Sequence, residues 1–298
     1  MKSTHRAWLW AAPAVFLLAG LFVWPALYLF RLSFNQGGGG QSGFGIGGSF
    51  YQPGTWTTDV YAALAGDSYF WDILNFTVWL GLVVTVLCVL LAYPTAHFIW
   101  MLGKRWKIAA LAAVIVPKLS SLLVTIYGLK LILGDHGPVN DFLRTVGVAS
   151  DPIILQNNVT GVVIGKTILI LPYTILLIWA GLERIDKQLL VAARGLGASA
   201  WTAFLRVTLP LSLPALSTAT LVSLIWGLGA FISPYLLGSP EEITLAVDVQ
   251  RQMFENLNWP RAAAEGVALL GTLALLAAAF GLAHRLLLKK SGLEGSNP

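Results

Sequence analysis

Long apolar runs alternate with short polar connectors along the chain, and the length of the runs decides its class. A helix needs about 20 mostly apolar residues to cross a bilayer. Six stretches reach that length, roughly 7–30, 73–101, 108–133, 159–182, 213–236 and 262–288. The pattern predicts an all-α polytopic membrane protein with six transmembrane helices, residues 1–298 forming a single transmembrane domain. The first run follows Lys2, His5 and Arg6, as the charged start of a secretory signal would. It is longer than a signal's apolar core, and no small-x-small cleavage site precedes Arg31, so it is expected to stay as the first helix.

Composition removes the soluble alternatives. Of the 298 residues, 56% are hydrophobic and 11% charged, where soluble domains carry about 25% charged residues. That deficit excludes a free-standing cytosolic enzyme, a disordered scaffold and a nucleic-acid module. The net charge of +5 therefore reads as loops at a membrane face rather than as a partner for DNA. Cys88 is the single cysteine, so there is neither a disulfide framework nor a cysteine-based metal site.

The charges also orient the spans. With both termini in the cytoplasm, 12 of the 19 basic residues fall inside, among them Lys104, Arg105, Lys107, Arg184, Lys187, Arg194 and Arg206. Only Arg31, Arg144, Arg251 and Arg261 fall outside, while Lys118, Lys130 and Lys166 lie within spans. This split follows the positive-inside bias. Trp8, Trp10, Trp71, Trp100, Trp106 and Trp259 stand near span ends, as interfacial aromatics do. Pro117, Pro172 and Pro234 are placed to kink or end helices. The outer loop at 35–54 holds the glycine run Gly37 to Gly40 without a following Gly-Lys-Ser/Thr, so it is a flexible connector and not a phosphate loop.

One connector is too long and too polar for a simple turn. Between Glu183 and Pro210, Asp186 is set to cap a short helix at 187–195. Gly195 and Gly197 end it and permit a positive φ or a close approach by another chain. A second helical stretch, Ala200 to Thr208, leads to Pro210 and Pro214. The expected geometry is two short interfacial helices joined at a glycine and presented to the cytoplasm.

The residues of this loop resemble the signature of permease subunits of binding-protein-dependent ABC importers. That signature runs Glu-Ala-Ala, three residues, Gly, nine residues, then Ile-x-Leu-Pro. Val191, Ala192, Ala193, Gly197, Val207, Leu209 and Pro210 stand at those spacings, with Arg194 inside them and Val191 where the family usually has Glu. The stretches Pro117 to Tyr127, Leu133 to Asn140, Ser233 to Gly238 and Asn258 to Ala263 look like the spermidine/putrescine-type permeases. That group also includes iron, opine and phosphonate importers. Its members commonly carry Arg two residues before the Tyr, where this chain has Thr125.

The resemblance implies a type I ABC importer permease in a bacterial inner membrane. It implies that residues 186–210 form a coupling loop seated on a dimer of separate ATPase subunits, which bind ATP and Mg; this chain itself holds no ATP-binding motif and no cofactor. It implies two further partners, a second, related permease chain and a periplasmic or lipid-anchored solute-binding protein. The solute would be small and polar, a polyamine or a zwitterionic or anionic compound such as an opine or aminophosphonate. Alternating access would carry it inward.

Ionisable residues inside spans are candidates for the pathway. On a continuous helix, Ser121 and Thr125 fall within about 60° of Lys118 and form a polar stripe with it. Lys118 is expected to face a water-filled cavity, where its ammonium would repel a polycation. Lys130 and Lys166 are expected to snorkel to the outer interface. Tyr127 and Trp226 complete the candidate pathway. Arg261 and Glu265, four apart, are set to pair. Two rivals remain: an ion-gradient carrier or channel, for which no internal repeat is found, and an intramembrane enzyme, for which no His-Glu-x-x-His or Gly-x-Ser-x-Gly is present.

Overall fold

A computed structural model describes residues 13, 15–37, 50–148 and 151–290 of the chain. The basic N-terminus, Trp8, Trp10 and most of the glycine run lie outside the described residues. Among the described residues the chain is nearly all helix, with α1 at Val15–Leu32, α2 at Asp59–Gly66 and α3 at Ser68–Met101. Next come α4 at Lys104–Leu119, its last turn tightened to a 3₁₀ form, α5 at Leu122–Ile132 and α6 at Pro138–Thr145. They are followed by α7 at Val159–Leu182, α8 at Lys187–Gly195, α9 at Ala200–Gly229, α10 at Ile232–Leu237, α11 at Leu245–Phe254 and α12 at Trp259–Lys290.

Five of these, α1, α3, α7, α9 and α12, are each long and apolar enough to cross a membrane. A sixth crossing requires α4 and α5 together, and these meet at an angle of 98°. The expected third span is thus broken. Pro117 sits in the tightened turn Val116–Leu119, and Ser120 and Ser121 then adopt extended backbone with ψ of 150° and 140°. A proline in the turn and two serines in extended backbone give the helix its exit.

Prolines also set the two wide turns. A π-type turn at Ala19–Val23 precedes Pro25, and another at Phe204–Thr208 precedes Pro210. Each proline lacks the N–H that would bond the carbonyl four residues earlier, and its ring crowds that carbonyl, so the turn widens. In α9 this changes the expected layout. The interfacial stretch at 200–208 does not stop at Pro210 but runs on as one helix from Ala200 to Gly229. The fifth span consequently ends before the expected 236, at Ala230, whose extended backbone (ψ 117°) separates α9 from α10.

Contacts divide the chain into two units. One comprises Met1–Asp72 and Leu245–Thr272. In it, Ser33 and Tyr61 share a hydroxyl hydrogen bond of 2.6 Å, Phe34 stacks on Trp56, and the Arg31 guanidinium lies over the same Trp56 ring. Asn258 caps α12 by accepting from the Arg261 N–H. Arg261 then bonds the carboxylates of Glu265 at 3.0 Å and Asp67 at 2.6 Å.

The other unit comprises Ile73–Thr244 and Leu273–Pro298. α7 is its centre, capped by Asn158, whose side chain accepts from the Gly161 N–H. Leu80, Val84 and Cys88 of α3 bury against Ile126 of α5 and Val162, Leu169 and Ile170 of α7. Nearer the opposite end of α7, Ile175, Ile178 and Leu182 pack on Ala92, Ala96, Ile99 and Trp100 of α3 and on Ala219 of α9. Small residues let the backbones close up. A Cβ on Gly227 of α9 would meet the Gly81 carbonyl of α3 at 3.0 Å.

Candidate functional site

The loop between α7 and α9 is built by local capping. Asp186 accepts from the Gln188 N–H at 2.9 Å and starts α8. At the other end the Gly197 N–H bonds the Arg194 carbonyl at 2.9 Å and the Ala198 N–H bonds the Ala193 carbonyl at 3.1 Å. This paired return requires a left-handed residue at Gly197, whose φ is +88°. Ser199 then caps α9 by accepting from the Thr202 N–H. The spacing from Ala192 and Ala193 to Gly197 is therefore the spacing of a helix end. Among the described residues, a Cβ on Gly197 would meet no atom within 4 Å, so the glycine is required there by its φ, not by a close approach.

Two ties anchor the loop. Lys187 donates to the Trp100 carbonyl at 3.0 Å, and Lys107 of α4 pairs with Glu183 at 2.8 Å. Ile185 is buried beneath it. Its outward side is apolar, with Leu196 90% exposed, Val191 70% and Trp201 67%. Val207, Leu209 and Pro210 lie on the wide turn and the start of the straight part of α9.

The candidate pathway residues do not form one stripe. The break after Leu119 separates Lys118 from Ser121 and Thr125, and the Thr125 hydroxyl donates back to the Ser121 carbonyl at 3.1 Å. Lys118 donates instead to the carbonyls of Ile168 at 3.1 Å and Leu169 at 2.7 Å on α7. Its ammonium lies 5.5 Å from the centre of the Tyr173 ring, and Tyr173 in turn packs on Trp226 with centroids 4.6 Å apart. Trp226, half-exposed, lines a cavity of about 440 Å³ with Leu122, Ile170 and Phe231.

Lys130 and Tyr127 line a separate cavity of about 450 Å³ with His136 and Gln156. Lys166 does not snorkel. It is fully buried and donates to the Gly227 carbonyl at 2.8 Å. That carbonyl belongs to the last turn of α9, where helix carbonyls lack intrahelical donors.

Sequence reasoning missed Tyr173 and the carbonyl of Ile168. The signal was available: Pro172 interrupts α7, and a proline frees the carbonyl four residues before it. It also missed Asp67 as a second partner of Arg261, since 194 positions separate the two.

Comparison with known proteins identifies the family of the chain. The residue pattern shared by a family described as "Binding-protein-dependent transport system inner membrane component" matches residues 7–290. The spermidine/putrescine transport system permease protein PotB of Escherichia coli (strain K12) is 32% identical over 238 residues, 80% of this chain and 86% of that protein. A crystal structure of a bacterial ABC transporter involved in the import of the acidic polysaccharide alginate superposes with a TM-score of 0.72 at 17% identity, covering 95% of this chain and 97% of that one. A crystal structure of bacterial alginate ABC transporter in complex with alginate pentasaccharide-bound periplasmic protein gives 0.70 at 18%, covering 97% and 96%. The chain belongs to the binding-protein-dependent transport system inner membrane component family and is a multi-pass permease subunit of an ABC importer.

Proposed function

We propose that the chain forms one half of an ATP-driven polyamine importer, with both termini in the cytoplasm and the loop from Asp186 to Pro210 seated on a partner ATPase. The orientation follows from the basic residues, 12 of which fall on the proposed inner side against four on the outer. The observation that carries the coupling role is the capped loop, in which Val191 of α8, Leu196 just after it and Trp201 at the start of α9 face outward, the loop being tied to α3 and α4. An exposed apolar surface held this rigidly is a docking surface. Closure of two ATPases on bound ATP and Mg would move α8, and α9, continuous with the loop, would carry that motion into the membrane.

The substrate class rests on the 32% identity to PotB, whose printed name is that of a spermidine/putrescine permease. The charge of Lys118 is partly offset by the dipoles of two backbone carbonyls and by the Tyr173 ring, which weakens its repulsion of a cationic solute. A solute-binding protein would deliver the polyamine to the outer face, and a second, related permease would complete the pathway. The alginate importer with its periplasmic protein supports that arrangement through the shared fold.

The test has two arms. Co-purification with the ATPase should be lost on Gly197→Trp, and proteoliposomes of the assembled importer should take up labelled spermidine or putrescine only with ATP. Uptake that persists without ATPase, driven by an ion gradient, would sink the reading.

A further inference from the structure

Against α8, on a flank that Val191 shares with the exposed apolar surface, lies a cavity of about 290 Å³. Three helices wall it, each with one face. α3 supplies His97, Trp100 and Met101, at i, i+3 and i+4; α8 supplies Lys187, Val191 and Arg194, at i, i+4 and i+7; α9 supplies residues including Phe204 and Thr208, one turn apart. Among the described residues, no Asp or Glu lines it. The nearest acids in sequence are already engaged, Asp186 as the cap of α8 and Glu183 with Lys107.

The cavity is amphipathic and carries only cations. The Arg194 side chain has no hydrogen bond or ion pair among the described residues, and Lys187 uses one donor on the Trp100 carbonyl. Behind this wall, the indole N–H of Trp100 and the hydroxyl of Thr208 are buried without a partner among the described residues. Donors gathered around an apolar pocket suit a phosphate attached to an apolar body. Depth favours a lipid as its source, since Trp100 and Met101 are the last residues of a helix long enough to cross the bilayer, where headgroups begin.

We propose that this cavity binds the headgroup phosphate of an anionic phospholipid, held between Lys187 and Arg194 of α8. The lipid would brace the coupling helix against α3 and α9, so its occupancy would set how firmly that helix transmits motion. This assignment stands whichever solute the importer carries.

Native mass spectrometry of the full chain in detergent, titrated with 1-palmitoyl-2-oleoyl phosphatidylglycerol or the matching phosphatidylcholine, provides the test. Wild type should retain one phosphatidylglycerol in preference to phosphatidylcholine. Arg194→Gln should weaken that binding at least fivefold, and the exposed control Arg105→Gln, outside the cavity, should leave it unchanged. Equal losses in the two variants, or equal retention of the two lipids, would reduce the effect to bulk charge and overturn the site. Displacement of the lipid by millimolar inorganic phosphate would overturn the lipid assignment. Phosphatidylglycerol bound to the isolated chain but absent from the assembled importer would assign the cavity to the ATPase contact and overturn the proposal as well.

Discussion

The Lys118 ammonium donates at 3.1 Å to the carbonyl of Ile168, the group that Pro172, four residues later, leaves without its helical donor. A lysine at the end of the broken α4 thus repairs the helix that the proline opens in α7. Lys118→Met should cost about 0.5–1.5 kcal/mol of stability, the usual net worth of a hydrogen bond. Pro172→Ala restores the missing N–H, so Lys118→Met should cost less in that background. A double-mutant cycle of thermal unfolding in detergent measures the coupling. Additive effects of the two substitutions would show that Lys118 does not serve the carbonyl.

Lys166 performs the same service at a helix end. Its ammonium is the donor for the Gly227 carbonyl in the last turn of α9, beside the close approach of Gly227 to Gly81. Lys166→Met keeps the length and apolar stem but removes the donor. It should destabilise by about 1–3 kcal/mol through the orphaned carbonyl. It should also loosen the contact of α9 with α7, seen as faster proteolysis or hydrogen exchange around Gly227. An unchanged melting temperature would mean that water replaces the ammonium there.

These two lysines show where sequence legibility ends. Local signals were sufficient for α7, expected at 159–182 and found at Val159–Leu182, and for α8, expected at 187–195 and found at Lys187–Gly195. The Asp186 cap, the left-handed Gly197 and the Arg261–Glu265 pair were equally local. Partners distant in sequence were not legible. Lys118 and Lys166 bond backbone carbonyls 50 and 61 positions away, and a carbonyl has no residue type to betray it. The break at Ser120 and Ser121 was hidden because hydropathy is blind to direction; α4 and α5 are apolar on both sides of a 98° turn.

Asp67 makes a pH prediction. Its hydrogen bond from Arg261 holds the carboxyl below the usual carboxylate range, against a smaller opposing effect of burial. A carboxyl whose folded pKa is depressed adds stability above its unfolded value, near 4. That stability is lost as pH falls through the lower, folded value. The pair is partly exposed, so the contribution should be at most about 1 kcal/mol and should shrink in high salt. Asp67→Asn should lower stability at neutral pH and flatten its decline between about pH 5 and 3. A decline in the variant as steep as in wild type would remove Asp67 as its source.

Gly197 offers the sharpest test of the loop. Its φ of +88° serves the paired return onto Ala193 and Arg194, and no atom of the described residues obstructs a side chain there. Two causes of a glycine requirement therefore predict opposite orders. If the backbone angle governs, Gly197→Asn should be milder than Gly197→Ala, because Asn accepts left-handed geometry while other L-residues pay roughly 1–2 kcal/mol for it. If the ATPase surface presses on the loop at this point, the larger Asn should be the worse of the two. Solute-stimulated ATP hydrolysis by the assembled importer separates these. We expect Asn to retain more stimulated hydrolysis than Ala, and β-branched Val the least. The reverse order for Asn and Ala would move the requirement from the helix end to the partner.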